Sequence, residues 1–116
     1  GSQILSEMGI GLVFITLGPK GTFFRHGKNT GRLNTYDVKV VDTTGAGDAF
    51  LAGILYYLRG KDRGDIALIN RTEIKRMADF ANALGALTTT KKGAIPALPS
   101  LGEIYDCINH TPKLIL

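Results

Sequence analysis

Tryptophan is absent and cysteine occurs once, at Cys107. A lone cysteine cannot close an internal disulfide, so the chain must be held by its core, and the free thiol fits a reducing, cytoplasmic setting. Histidine occurs only at His26 and His110. With Cys107 these cannot make a zinc cluster at the usual ligand spacings, and all three read as structural or surface residues. No apolar run approaches the roughly 18 residues that a bilayer span needs. The first residues lack the pattern of a secretory leader. These absences point away from a membrane partner, a disulfide scaffold and a zinc site.

What remains is the composition of a folded domain. Hydrophobic residues make up 44% and charged residues 21% of 116, with 15 glycines, too apolar for a disordered chain and enough for one modest core. The net charge is +4. Its basic residues are scattered from Lys20 to Lys113 and form no single stripe. An acidic small molecule accounts for them as well as nucleic acid does, and no recognition motif accompanies the charge, so no nucleic-acid partner is expected.

Read for organisation, Ile4 to Met8 looks like the tail of a helix ending at Gly9. Leu12 to Leu17 is a continuous apolar run, expected as a strand buried on both faces. The turn chemistry of Gly18-Pro-Lys-Gly21 returns the chain as a second strand over Thr22 to Arg25. Gly27 to Gly31 reads as a loop, and Tyr36, Val38 and Val40 alternate with polar residues as in a half-buried strand. A helix buried on most sides is expected from about Ala46 to Arg59, stopped by Gly60. Asn70 with Glu73 announces a second helix, with Ile74, Met77, Ala78, Ala81 and Leu84 on its inner face. Thr88 to Lys92, Pro96 and Pro99 read as a loop, and Leu101 to Ile108 as a short last helix. So few strands cannot complete a doubly wound sheet. We therefore expect residues 1–116 to be the C-terminal segment of a longer α/β domain.

The chemistry concentrates in Asp42-Thr-Thr-Gly-Ala-Gly-Asp48, which runs directly into an apolar stretch. Glycines at 45 and 47 let the backbone turn tightly and leave its N–H groups uncovered. The helix that follows aims its first N–H groups and positive dipole end at the same place, which makes an anion site without a lysine. Asp48 in the first turn is placed to take a proton from a hydroxyl attacking that anion. Asp42, Thr43 and Thr44 add oxygens that suit a cation or brace the loop. On spacing alone, a plain helix start with Gly45 as cap and Asp48 as dipole partner stays equally open. A Walker loop is excluded because no G-x-x-x-x-G-K-[ST] occurs, and Gly45-Ala-Gly47 lacks the third glycine of a dinucleotide fingerprint.

The stretch DTTGAGDAF resembles the second signature of the ribokinase-like (PfkB) family of carbohydrate kinases. VFITLGPKG (Val13 to Gly21) is similar to the family's nucleotide-contacting strand and turn. FANALGALTTTKKGAIPALP (Phe80 to Pro99) resembles fructokinases more than ribokinases or adenosine kinases. The resemblance covers nearly the whole chain and implies an α/β, ribokinase-like doubly wound sheet, present here only in its C-terminal portion.

By that resemblance Asp48 is the catalytic base, and the backbone of Gly45, Ala46 and Gly47 forms the anion hole for the phosphoryl group leaving ATP. Thr16, Gly18 and Gly21 lie along the nucleotide, with Asn82 near the adenine. Asp42 and Thr44 face a monovalent cation, usually potassium, across from the backbone between Thr88 and Gly93. Mg2+ arrives with the ATP. Without the resemblance, Gly18 and Gly21 read as turn glycines and Asn82 as a solvated helix residue. Phe23 and Phe24 then read as sheet packing, and Lys91 and Lys92 as surface charge. The implied activity is phosphorylation of a sugar, fructose first, with ribose, a nucleoside or another sugar as alternatives. A non-catalytic segment that binds a nucleotide or a partner chain is the other class. The family's sugar-binding residues lie mostly in an N-terminal half absent from these residues. The segment alone is therefore expected to be inactive, and its uncovered strands to favour a homo-oligomer or another chain.

Overall fold

A computed structural model describes residues 3–7, 12–16, 21–41, 45–90 and 99–114. Four strands are found among them, in the order β1 (Gln3–Glu7), β2 (Leu12–Thr16), β3 (Thr22–His26) and β4 (Asn29–Leu33). Each pairs with the next in antiparallel register, so the sheet is a meander. Phe14 stands opposite Phe24, Thr16 opposite Thr22, and Leu12 opposite His26. All of these but Thr16 are buried, on one face of the sheet. Val13, Ile15 and Phe23, on the other face, are only half-buried. The pleat thus gives β2 one covered face, where burial on both was expected.

Two corrections concern the sheet. The helix tail expected over Ile4 to Met8 is replaced over its described residues by strand β1, Gln3–Glu7, paired against β2. The segment expected as a loop over Gly27 to Gly31 is a two-residue turn leading into β4. Gly27 supplies the positive φ (59°) at the first turn position, which suits a two-residue hairpin. Strand β4 is mostly exposed, and its polar sequence follows from lying at the outside of the meander.

The half-buried strand expected from Tyr36 to Val40 reduces to a single bridge between Tyr36 and Lys113. Two backbone bonds flank it, Asp37 N–H to the Pro112 carbonyl at 2.7 Å and Leu114 N–H to the Thr35 carbonyl at 2.9 Å. Val40 is 58% exposed, so its alternation has no covering layer.

Helices α1 (Ala46–Leu58), α2 (Arg63–Ala67), α3 (Arg71–Thr89) and α4 (Leu101–His110) complete the described elements. Helix α1 ends as expected, with Gly60 at φ 75°. It buries one side (Ala49, Phe50, Gly53, Ile54 and Leu58) and leaves Ala52 and Leu55 exposed, so it is less enclosed than expected. Asn70 caps α3 by accepting the Glu73 N–H. Ile74, Met77, Ala78, Ala81 and Leu84 are all buried along it.

Helix α3 also continues through Thr89 and so takes in residues expected as loop. The hydroxyls of Thr88, Thr89 and Thr90 donate to the carbonyls of Leu84, Ala86 and Leu87. These hydroxyls supply extra donors over the last turn, where carbonyls run short of backbone N–H partners.

Helices α1 and α3 pack closely through small residues. A Cβ on Gly53 would stand 2.8 Å from the Ala81 Cα, and one on Gly85 would stand 3.3 Å from the Ala46 carbonyl. Because the N-terminal residue of α1 meets the C-terminal half of α3, the two helices are antiparallel. One core joins Leu12, Phe14 and Phe24 to Phe50, Ile54, Ile74 and Met77. A second lies beyond the helices, where Tyr36, Phe80, Ile104 and Cys107 meet. Burial pushes the Cys107 thiol above its ordinary range, a bond from Thr111 offsetting part of the rise. His26 is buried too, its Nε2–H donating to the Ile66 carbonyl at 3.1 Å. Both therefore serve the scaffold.

Candidate active site

The antiparallel pairing of α1 and α3 assembles one end of the molecule. Gly45 adopts the left-handed conformation (φ 80°, ψ 0°) and starts α1 without a side-chain cap. Its carbonyl accepts the Ala49 N–H at 2.8 Å. The N–H groups of Ala46, Gly47 and Asp48 fall in the first turn, where no intrahelical acceptor exists. These three N–H groups and the positive helix end thus gather at the turn where the sequence suggests an anion. Asp48 is exposed in that first turn, on the helix and beside the same N–H groups.

Helix α3 carries the nucleotide candidate to this end. Asn82 is buried, not solvated, and its Oδ1 accepts a hydrogen bond from the Thr22 hydroxyl at 2.8 Å. Thr22 pairs with Thr16 across the hairpin and follows Gly21. Gly21 has φ 94°, and a Cβ there would meet the Leu33 carbonyl oxygen. The backbone alone therefore requires glycine at 21. Three residues beyond Asn82, about 4.5 Å along the helix axis, Gly85 lies against Ala46. Thr16, Gly21, Asn82 and the Gly45–Asp48 turn are thereby linked through one set of contacts.

Gly18, Asp42 and Thr44, like Lys91, Lys92 and the rest of the expected cation loop from residue 91, lie outside the described residues. The chain on either side of these segments is tied together, since the Val41 N–H donates to the Thr89 carbonyl at 2.7 Å. Residue 41 precedes Asp42, and Thr89 ends α3, so the two strips named for a monovalent cation start from one hydrogen bond. Among the described residues no group of three His, Cys, Asp or Glu side chains is placed to hold a metal.

Sequence reasoning missed two contributors. Thr22 is a partner of Asn82, and Gly85 permits the approach to Ala46. Only Gly85 left a signal, because a glycine inside an otherwise helical pattern usually marks close packing.

The model of the pfkB family carbohydrate kinases matches residues 2–101. The chain belongs to that family. It is 51% identical over 102 residues to probable fructokinase-5 of Arabidopsis thaliana, covering 88% of this chain and 31% of the relative. The fructokinase of Xylella fastidiosa with bound ATP superposes with a TM-score of 0.81 at 30% identity, over 85% of this chain and 32% of that one. A double-mutant fructokinase of Vibrio cholerae O395, in a form with fructose, ADP and potassium ion bound, gives a TM-score of 0.72 at 38% identity. That likeness covers 84% of this chain and 30% of the other. The fold is therefore ribokinase-like and partial, and the chain spans about a third of the length of these pfkB relatives.

Proposed function

We propose that this chain is the phosphoryl-transfer segment of an ATP-dependent sugar kinase whose acceptor is fructose. The observation that carries the reading is the start of α1, where a left-handed Gly45 opens a helix with Asp48 in its first turn. A helix start built this way favours a developing phosphoryl charge, and an exposed carboxylate beside it suits a mobile proton. In the proposed reaction the sugar hydroxyl oxygen bonds to the γ-phosphorus of ATP as the bond to the β-phosphate oxygen breaks. ADP leaves and the hydroxyl proton passes to Asp48. Gly45, Ala46 and Gly47 offer N–H groups to the transferring oxygens.

Asp42 and Thr44, with the backbone that follows Thr89, would hold a monovalent cation. The bond from Val41 to Thr89 supports that pairing of segments. The cation would supply positive charge that stiffens the anion loop, and Mg2+ would come with the nucleotide phosphates. Residues 1–116 act in this proposal as one segment of a larger kinase domain. The acceptor pocket is completed by further polypeptide or by another copy of the chain, the setting is cytoplasmic, and the segment alone does not turn over.

A coupled ADP-release assay of the full-length kinase on fructose, ribose and adenosine tests the reading. Preference for fructose is expected. Preference for ribose or adenosine would overturn the acceptor, and ATP binding without transfer to any of the three would favour a non-catalytic nucleotide-binding role.

A further inference from the structure

Residues 35–41 carry the chain from the sheet to the turn that begins at Asp42, and beyond one bridge at Tyr36 they form no strand. The segment is held at both ends. At its start the Asp37 N–H donates to the Pro112 carbonyl at 2.7 Å and the Leu114 N–H to the Thr35 carbonyl at 2.9 Å, so it rests on the tail that follows α4. At its end the Val41 N–H donates to the Thr89 carbonyl at 2.7 Å.

Two backbone bonds specify a register poorly, because a short ladder can slip by two residues and keep its faces. Lys113 removes that freedom. Its Nζ donates to Asp79 Oδ1 on α3 at 2.6 Å and lies 5.4 Å from the centre of the Tyr36 ring, close enough for a cation–π contact. Tyr36 is itself buried in the core with Phe80 and Cys107. One side chain thus joins the tail, the start of the segment and α3.

Helix α3 also fixes the other end. Asp79 and Thr89 stand ten residues apart on it, about 15 Å along the axis. Tyr36 and Val41, five residues apart, reach at most about 18 Å. The comparable lengths leave the link little slack, so a shift beside Lys113 passes to Val41 and on to Asp42. Past the turn, Ala46 lies against Gly85 of the same helix. Both arms of the turn are therefore set against α3.

We propose that Lys113 is a positioning residue for the anion turn: paired with Asp79 and set on the Tyr36 ring, it holds residues 35–41 in register along α3 and so fixes where the chain enters the turn. The proposal rests on the kinase reading above and adds to it a residue that touches no substrate. In that reading the turn faces the transferring phosphoryl group, so the effect of Lys113 belongs to the chemical step and not to ATP binding.

The test is made in the full-length kinase. Lys113→Met keeps the apolar stem and removes the charge. It is expected to lower kcat about tenfold at a temperature where the variant is folded, with KM for ATP within about twofold. Lys113→Arg keeps the charge and is expected to restore kcat. Asp79→Asn should cost about as much as Lys113→Met, and the double variant no more than either. Hydrogen exchange gives a readout apart from catalysis. The Val41 amide should exchange about tenfold faster in Lys113→Met, while Ala81 inside α3 keeps its protection. Unchanged exchange at Val41, equal acceleration at Ala81, additive losses in the double variant or no rescue by arginine would each overturn the proposal. If the methionine variant does not fold, Lys113→Gln reads the same split. Normal kcat in Lys113→Met, with fructose phosphorylation intact, would sink this proposal and leave the kinase reading standing. Failure of the unaltered enzyme to phosphorylate any sugar would sink the kinase reading, and exchange at Val41 would still decide whether Lys113 holds the segment.

Discussion

The Ala46 carbonyl lies 3.3 Å from where a Cβ on Gly85 would stand. Ala46 is the first residue of α1, so a glycine near the C-terminal end of α3 sets how near the candidate anion-binding turn can approach the helix that carries Asn82. An alanine at 85 asks the turn to yield by a few tenths of an ångström, and a β-branched residue asks for more. Gly85→Val is expected to lower kcat about a hundredfold in a folded enzyme, the scale of a 1 Å misplacement. Steady-state kinetics alongside a melting curve check this, and normal turnover in a folded variant would detach Gly85 from the site.

Asp48→Asn separates a proton acceptor from a helix-dipole partner. A surface carboxylate in the first turn contributes about 0.3–1 kcal/mol to the helix, which would barely move the melting temperature. A general base contributes about 10²–10⁴-fold in rate. We expect kcat to fall on that scale with KM for ATP nearly unchanged. Near-normal turnover would leave Asp48 with only its dipole role.

The two glycines of the turn make different demands. Gly45 has φ 80°, so Gly45→Ala should lose about 1–2 kcal/mol of stability by backbone strain alone. Gly47 lies inside α1, where Gly47→Ala should gain up to about 1 kcal/mol of helix propensity. If the N–H groups at 45–47 approach a phosphoryl group, the alanine at 47 lowers turnover while stability holds or rises. Denaturant melts paired with kinetics would expose the opposite result, in which activity simply follows stability.

Potassium should raise the rate over a tetramethylammonium control at equal ionic strength, given the tie between Val41 and Thr89 at the base of the two candidate cation strips. Equal rates in both salts would remove the cation from Asp42 and Thr44.

Alkaline pH should destabilise the fold. Burial raises the Cys107 thiol above its ordinary value of 9.0. Burial, reinforced by Asp79 and then Cys107, raises the Tyr36 phenol above its ordinary 10.0. In each case the unfolded chain loses its proton first, so the folded form holds more protons and its stability falls as pH rises. The loss begins above about pH 9 for the thiol and above about pH 10 for the phenol. Melting temperatures from pH 7.5 to 11 should decline accordingly, and Cys107→Ala should flatten the first part of the decline. An unchanged slope in that variant would assign the loss to other groups.

Much of the site was legible because it is local chemistry. Gly45 as the start of a helix, Asp48 in the first turn, Gly60 as a stop and Asn70 as a cap all act within a few residues of themselves, and the structure bears each out. The PfkB resemblance began at DTTGAGDAF and extended over Val13 to Gly21 and Phe80 to Pro99, and the family match agrees. Pairing and burial were decided elsewhere. Five residues such as Gln3–Glu7 fit a helix tail as readily as a strand until β2 supplies partners. The polar run Asn29–Leu33 becomes a strand only because β3 offers it hydrogen bonds. Tyr36 to Val40 alternates correctly but among the described residues gains only the isolated bridge of Tyr36 to Lys113. Asn82 carries no mark of burial in its own surroundings, and Thr22 stands 60 residues away from it. Caps and turns are set by neighbours along the chain, so sequence alone determined them here. Which face of a strand is covered, and which amide loses its water, depends on segments far apart in sequence, and only the tertiary structure brings those together.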